Sequence, residues 1–188
     1  MARLVFLLEE RSMERFLKEL LPRLCPELEL CQDCVFIPHE GKQDLERSIP
    51  RKLRGWNVPD DLFVIIRDQD SGDCVVIKQH LVDLCTQAGK TPALVRIACR
   101  ELESWYLGDL AAVGRTYGMP NLHRRQGSTK FRNPDSLGSP ARELKQIVPE
   151  FTKLGGAVAI GKEIALAGNT SHSFTALLSG IQGVLAGI

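Results

Sequence analysis

The sequence predicts an α/β fold: a mostly parallel four-stranded sheet with flanking helices, followed by a helical C-terminal portion. Three observations predict it. Four short apolar runs, at 3–8, 29–37, 62–66 and 93–99, are of strand length. Between and after them come stretches whose apolar residues recur at spacings of three and four, the mark of amphipathic helices. Beyond about residue 114 strand-like runs stop. Strictly alternating strands and helices are the signature of a sheet covered on both faces. At 188 residues, 44% of them hydrophobic and 25% charged, the chain has the size and composition of one ordinary domain and not of a disordered polypeptide. It divides into an α/β core at 1–116 and a basic loop with C-terminal helices at 117–188, packed together as one compact domain.

Residues 3–8 carry an apolar run without a helical stripe, as expected of a buried strand. Ser12 is placed to cap the next helix, in which Met13, Phe16, Leu17, Leu20, Leu21 and Leu24 form one face before Pro26. Glu29 to Ile37 reads as the second strand, ended by Pro38. Gly41 to Leu53 is helical through Leu45, Ile49 and Leu53, with Pro50 a source of kinking. Leu62 to Ile66 is the clearest buried strand and runs into the acidic turn Arg67–Asp73, where Asp73 can cap the following helix, Val75 to Ala88. Ala93 to Cys99 is the fourth strand and Glu101 to Val113 the helix after it. Residues 117–140 are rich in Gly, Pro, Asn, Ser and basic residues, a long loop of the kind that is functional or mobile. Helices are expected at 140–148, 157–167 and 172–185, the last capped by Ser171 or Ser173.

Charge and cysteine content restrict the function classes. Lys plus Arg number 24 against 23 Asp plus Glu, so the net charge of +1 names no partner and any nucleic-acid surface is local. No apolar run approaches a membrane span, and Leu4–Leu8 is too short for a signal sequence, which predicts a cytoplasmic protein. Reduced thiols are then the default for the six cysteines. Cys31 and Cys34 form a CxxC pair without the second pair of a structural zinc site. They also precede a strand, where a thioredoxin-like redox pair opens a helix.

Three acidic clusters fall at the carboxyl ends of three predicted strands: Glu9 and Glu10, Asp68 and Asp70, Glu101 and Glu103. Sites in open α/β sheets form at that edge, so distant pieces of sequence converge on one cleft. Carboxylates so gathered repel one another unless protons or a cation neutralise them, and hard oxygen donors suit Mg²⁺ or Mn²⁺. Acidic residues also commonly end strands and cap helices, and a lone DxD is a weak signal. The repetition at three matching positions is the stronger one.

The strand ending in Leu8-Glu9, the later Ile65-Ile66-Arg67-Asp68-Gln69-Asp70, and the α/β units between them resemble a Toprim domain, the fold shared by topoisomerases, bacterial primases and overcoming-lysogenization-defect nucleases. More closely, the chain resembles a bacterial family of small Toprim-like proteins. The likeness runs through Leu8–Ser12, Gly41–Leu45, Arg67–Asp70, Arg96–Ala98, Glu101–Trp105 and Asn169–Phe174. It implies that Glu9 is a general acid/base or metal ligand, that Asp68 and Asp70 bind metal, and that Glu101 and Glu103 form an acidic pair before Trp105. It also implies a gene neighbour encoding an ABC/AAA-type ATPase, in arrangements like antiphage defence systems. Glu10 stands where the Toprim motif has Gly, which adds a carboxylate and removes the close phosphate approach a glycine permits. A topoisomerase is not expected, since Tyr106 and Tyr117 are the only tyrosines and no strand-passage domains are read in these 188 residues.

The second functional lead is basic. From Arg115 to Lys153 eight Lys and Arg stand against three acidic residues, with Arg124, Arg125, Lys130 and Arg132 the densest group. Cations interleaved with Phe131 suit phosphate neutralisation and base stacking, and equally a protein-docking or solvated loop. The expectation is a divalent-metal-dependent nuclease acting on DNA or RNA, the alternative a non-catalytic subunit that binds a partner ATPase or nucleic acid. No GxxxxGK[ST] motif is present, so the chain supplies no ATPase of this type.

Overall fold

The computed structural model describes residues 3–187. Four strands, β1 (Leu4–Leu8), β2 (Cys34–Pro38), β3 (Leu62–Asp68) and β4 (Leu94–Ala98), form one sheet in the order β2-β1-β3-β4. All three pairings are parallel, with Leu4 opposite both Cys34 and Leu62, and Val64 opposite Leu94. The helices are α1 (Arg11–Leu24), α2 (Leu30–Asp33), α3 (Lys42–Arg54), α4 (Cys74–Gln87), α5 (Glu103–Leu107), α6 (Leu110–Thr116), α7 (Pro140–Ile147), α8 (Lys153–Glu163) and α9 (His172–Leu185). Among the described residues no helix is long and apolar enough to cross a membrane.

Strand alternation sorts the core into two layers. Leu4, Phe6, Leu8, Val64, Ile66 and Ala98 face α1 and the C-terminal helices, and that layer takes in residues from both sides of position 116. Val5, Leu7, Phe63, Ile65, Val95 and Ile97 face α3 and α4. Trp105 and Tyr106 are core, as expected, and pack on Phe16. Asp73 accepts from the Val75 and Val76 amides and Ser171 from the Phe174 amide, as expected, but Ser12 is no cap: α1 already starts at Arg11, and the Ser12 hydroxyl donates to the Glu10 carboxylate.

Three boundaries differ from expectation. The second strand begins at Cys34 because residues 30–33 make one helical turn, held by the Asp33 carboxylate on the Glu29 amide at 2.8 Å. Cys31 is exposed and Cys34 buried, and all six cysteines are free. Pro50 lies inside α3 without ending it. The helix expected over 101–113 is two. Gly108 ends α5 where a Cβ would stand 1.9 Å from Asn169 Oδ1, and Asp109 caps α6 through the Ala112 amide. The helix expected at 157–167 starts at Lys153 and ends at Glu163. Its terminal carbonyls are taken by Arg23, on Gly161 and Ile164, and by Arg115, on Glu163.

Candidate metal centre

The carboxyl edge of the sheet gathers the acidic residues but treats them differently. Asp68, the last residue of β3, points to the α1 side and is 5% exposed, with Oδ1 unpartnered among the described residues. Burial, then Glu9, Glu103 and Glu10, raise its pKa well above the usual carboxylate range. Glu103 opens α5 at 1% exposure with neither carboxylate oxygen hydrogen-bonded among the described residues, and burial pushes its pKa up to about 7. Glu9 follows β1 and accepts the Asp68 amide at 3.0 Å, while Arg67 Nε lies 3.7 Å away. Its pKa is raised, mainly by burial. Glu10 caps nothing with its side chain. It accepts from Ser12 Oγ and faces Lys153 Nζ at 3.2 Å.

The remaining two candidates are engaged elsewhere. Glu101 accepts the Ala141 amide at 2.7 Å and so serves the start of α7. Asp70 adopts φ 55, a left-handed conformation Asp tolerates, and its carboxylate pairs with Lys42 at 2.7 Å. On an unbroken strand Asp68 and Asp70 would share a face. The strand ends at Asp68, and the turn takes Asp70 to α3.

Three contributors carried no acidic-cluster signal. Lys153, counted in the sequence only as the end of the basic segment, sits at the first position of α8 with its charge reinforced by Glu103, Glu10 and Asp68 against the effect of burial. A cation at a helix N-terminus opposes the helix dipole, a hint visible in sequence only once the helix start is known. Tyr106 buries an unpartnered hydroxyl, its pKa raised by burial and Glu103. Arg67, one residue before Asp68, faces the opposite side of the sheet and bonds Glu46 at 2.7 Å. A cavity of about 400 Å³ beside Glu10 and Lys153 is lined also by Arg11, His39 and Gly41.

The basic loop is more ordered than expected. The Gln126 side chain ties it to the Leu110 amide and the Leu107 carbonyl, and Asp135 binds Ser171 and Ser173, beside the end of β4. Phe131 is 1% exposed, so the stacking role expected of it is unavailable to a base. Arg125 and Lys130 cover its ring instead. Lys130 also pairs with Glu143 at 2.5 Å. Arg124 and Arg132 are exposed and make no ion pair among the described residues.

The donors are all carboxylate oxygens, two of the groups are buried, and three of their oxygens lack partners. Carboxylate oxygens are the donor type that a hard divalent cation such as Mg²⁺ or Mn²⁺ takes. As they stand, no three His, Cys, Asp or Glu among the described residues close on one ion position. Fold and site together define a parallel α/β protein with a buried carboxylate cluster at its strand ends. The chain belongs to the family described as Domain of unknown function (DUF4276), whose model matches residues 8–182. No curated protein and no solved structure matches it.

Proposed function

We propose that the protein is a divalent-metal-dependent nuclease that cleaves phosphodiester bonds of DNA or RNA, working with an ATPase partner in antiphage defence. The observation that carries the reading is the pair of buried carboxylates, Asp68 and Glu103, with three unpartnered oxygens beside Glu9 at the carboxyl edge of the sheet. Burying such charge is costly without a counter-cation, and a functional site is where that cost is retained. In this reading Asp68, Glu103 and Glu9 would hold Mg²⁺ or Mn²⁺ once their side chains close on it, and the ion would supply Lewis acidity toward the phosphate and an activated water. Asp70 stands at the rim, paired with Lys42. Arg124 and Arg132 supply the cations for backbone phosphate. Incubating the protein with plasmid, single-stranded DNA and tRNA, with Mn²⁺ or Mg²⁺ and with EDTA, tests the reading. EDTA-sensitive cleavage lost in Asp68→Asn supports it, and cleavage unaffected by that substitution defeats it.

One observation favours the non-catalytic alternative. Val75 and Val76, 71% and 67% exposed, stand in the first turn of α4, and Val75 lines a cavity of about 440 Å³ together with Val95, Ile97 and Ala176, rimmed by Lys78 and Arg96. Neighbouring exposed valines suit a protein partner. If cleavage is absent even with the neighbouring ATPase supplied, the subunit reading takes its place.

A further inference from the structure

We infer that Cys74 and Cys99 form an oxidisable dithiol, which a peroxide converts into a disulfide tying the head of α4 to the end of β4. The inference is independent of the nuclease reading, since neither thiol belongs to the carboxylate cluster.

The two cysteines come from different elements and meet at one place. Cys74 is the first residue of α4, and Cys99 directly follows β4. Both line the cavity of about 440 Å³ whose other walls include Val95 and Ile97 of β4 and Ala176 of α9. There the two sulfurs are within hydrogen-bond reach of each other. The backbones on either side are fixed. The Gln69 amide bonds the Ala98 carbonyl and the Asp70 amide the Arg100 carbonyl, each at 2.9 Å, so the turn that leads into α4 is stitched to both neighbours of Cys99. Within that turn the Gly72 amide bonds the Gln69 carbonyl at 3.2 Å, and Asp73 caps α4. The Cys99 amide itself donates to Ser173 Oγ at 3.2 Å. A disulfide demands two side chains already held at close range, and these hydrogen bonds hold them.

Access separates this pair from the other thiols. Cys25, Cys34 and Cys85 are buried and Cys31 is fully exposed, whereas Cys74 and Cys99 are both partly exposed. A small oxidant therefore reaches the pair from the cavity. Burial keeps the Cys99 thiol protonated, its pKa pushed up to about 11, so Cys74 is the thiol that meets the oxidant first. The Cys74 sulfur, as thiolate, attacks one peroxide oxygen. The O–O bond breaks, the leaving hydroxide takes up a proton to give water, and Cys74 carries a sulfenic acid. The Cys99 sulfur then displaces that hydroxyl: the S–S bond forms, the S–O bond breaks, and the Cys99 proton leaves in a second water. Two thiols have lost two electrons and two protons, and one hydrogen peroxide has become two waters.

Peroxide treatment of the whole chain, followed by denaturation, alkylation and peptide mapping by mass spectrometry, tests this. Titratable thiols are expected to fall by two, from six to four, with a peptide pair linked through Cys74 and Cys99 that dithiothreitol separates again. In Cys99→Ser the Cys74 sulfenic acid is expected to persist and to be trapped by dimedone. In Cys74→Ser the linked pair is absent and the Cys99 thiol is expected to be lost at least about tenfold more slowly than in the wild type. Retention of all six thiols, or chain-to-chain crosslinks through Cys31 with Cys74 and Cys99 both still alkylated, would overturn the inference. So would Cys74 driven on to a sulfinic acid while the Cys99 thiol stays intact. The wild-type map decides by itself, even where a variant fails to fold.

Discussion

The two faces of the sheet handle the same motif in opposite ways. On the α3/α4 side, Asp70 pairs with Lys42 and Glu46 with Arg67, whose Nε also lies 3.7 Å from Glu9. On the α1/α8 side, Asp68 and Glu103 are more deeply buried, yet three of their oxygens have no partner among the described residues, and the lysine at the head of α8, Lys153, bonds Glu10. Two residues apart in sequence, Asp68 and Asp70 sit in unlike electrostatic surroundings. Paired charge at a rim stabilises a surface locally. Unpaired buried charge stores a demand that a ligand cation can meet.

The comparison can be broken most directly by activity. Asp68→Asn and Glu103→Gln are each expected to lower Mn²⁺-dependent cleavage by at least about 100-fold, and Asp70→Asn by less than about tenfold. Equal losses for Asp68→Asn and Asp70→Asn would erase the distinction between the faces.

The next largest effect is on stability against pH. Glu103 has a folded-state pKa of about 7 against an ordinary 4.5. Between those values the folded protein binds a proton that the unfolded chain has released, so this group makes stability fall as pH rises from about 4.5 through 7. The shift corresponds to roughly 3 kcal/mol. Thermal melts of metal-free protein should give a Tm that declines over that window, and Glu103→Gln should flatten the decline and raise the Tm at pH 8. A wild-type Tm that climbs over the same window would contradict the burial of an unanswered carboxylate. Saturating Mn²⁺ should weaken the decline, since an ion favours the charged form.

Smaller effects belong to the exposed cations. Replacing Arg124 and Arg132 together by Gln should reduce the slope of log K against log salt by about 2 and leave turnover at saturating substrate nearly unchanged. An unaltered slope would assign the loop to solvent or to a protein partner. Smallest is Lys42→Ala, whose partner lies at the surface: denaturant unfolding should register a loss of at most about 1 kcal/mol. A larger loss would mean that the α3 side is as electrostatically committed as the α1 side.

Much of this architecture is local information. The apolar runs at 62–66 and 93–99 become adjacent parallel strands, and Asp73 and Ser171 cap helices as their positions imply, because alternation and capping are decided by neighbours within a few residues. Where expectation missed, a distant contact intervened. Gly108 splits a helix because Asn169 packs against it, and Phe131 is core because the chain from Gln126 folds back on α5 and α6.

The sequence by itself determined the parallel α/β class, the two apolar faces of the sheet and the gathering of acidic residues at its carboxyl edge. These follow from a two-residue period in strands and a 3.6-residue period in helices. Only the tertiary structure decided that Glu101 serves a helix start while Glu103 is buried, that Asp70 turns away to Lys42, and that Lys153 arrives from α8 to face Glu10, 143 residues earlier in the chain. Hydrophobic periodicity places backbone and faces. Which charges meet depends on how helices far apart in sequence close against one another, and no local pattern encodes that distance.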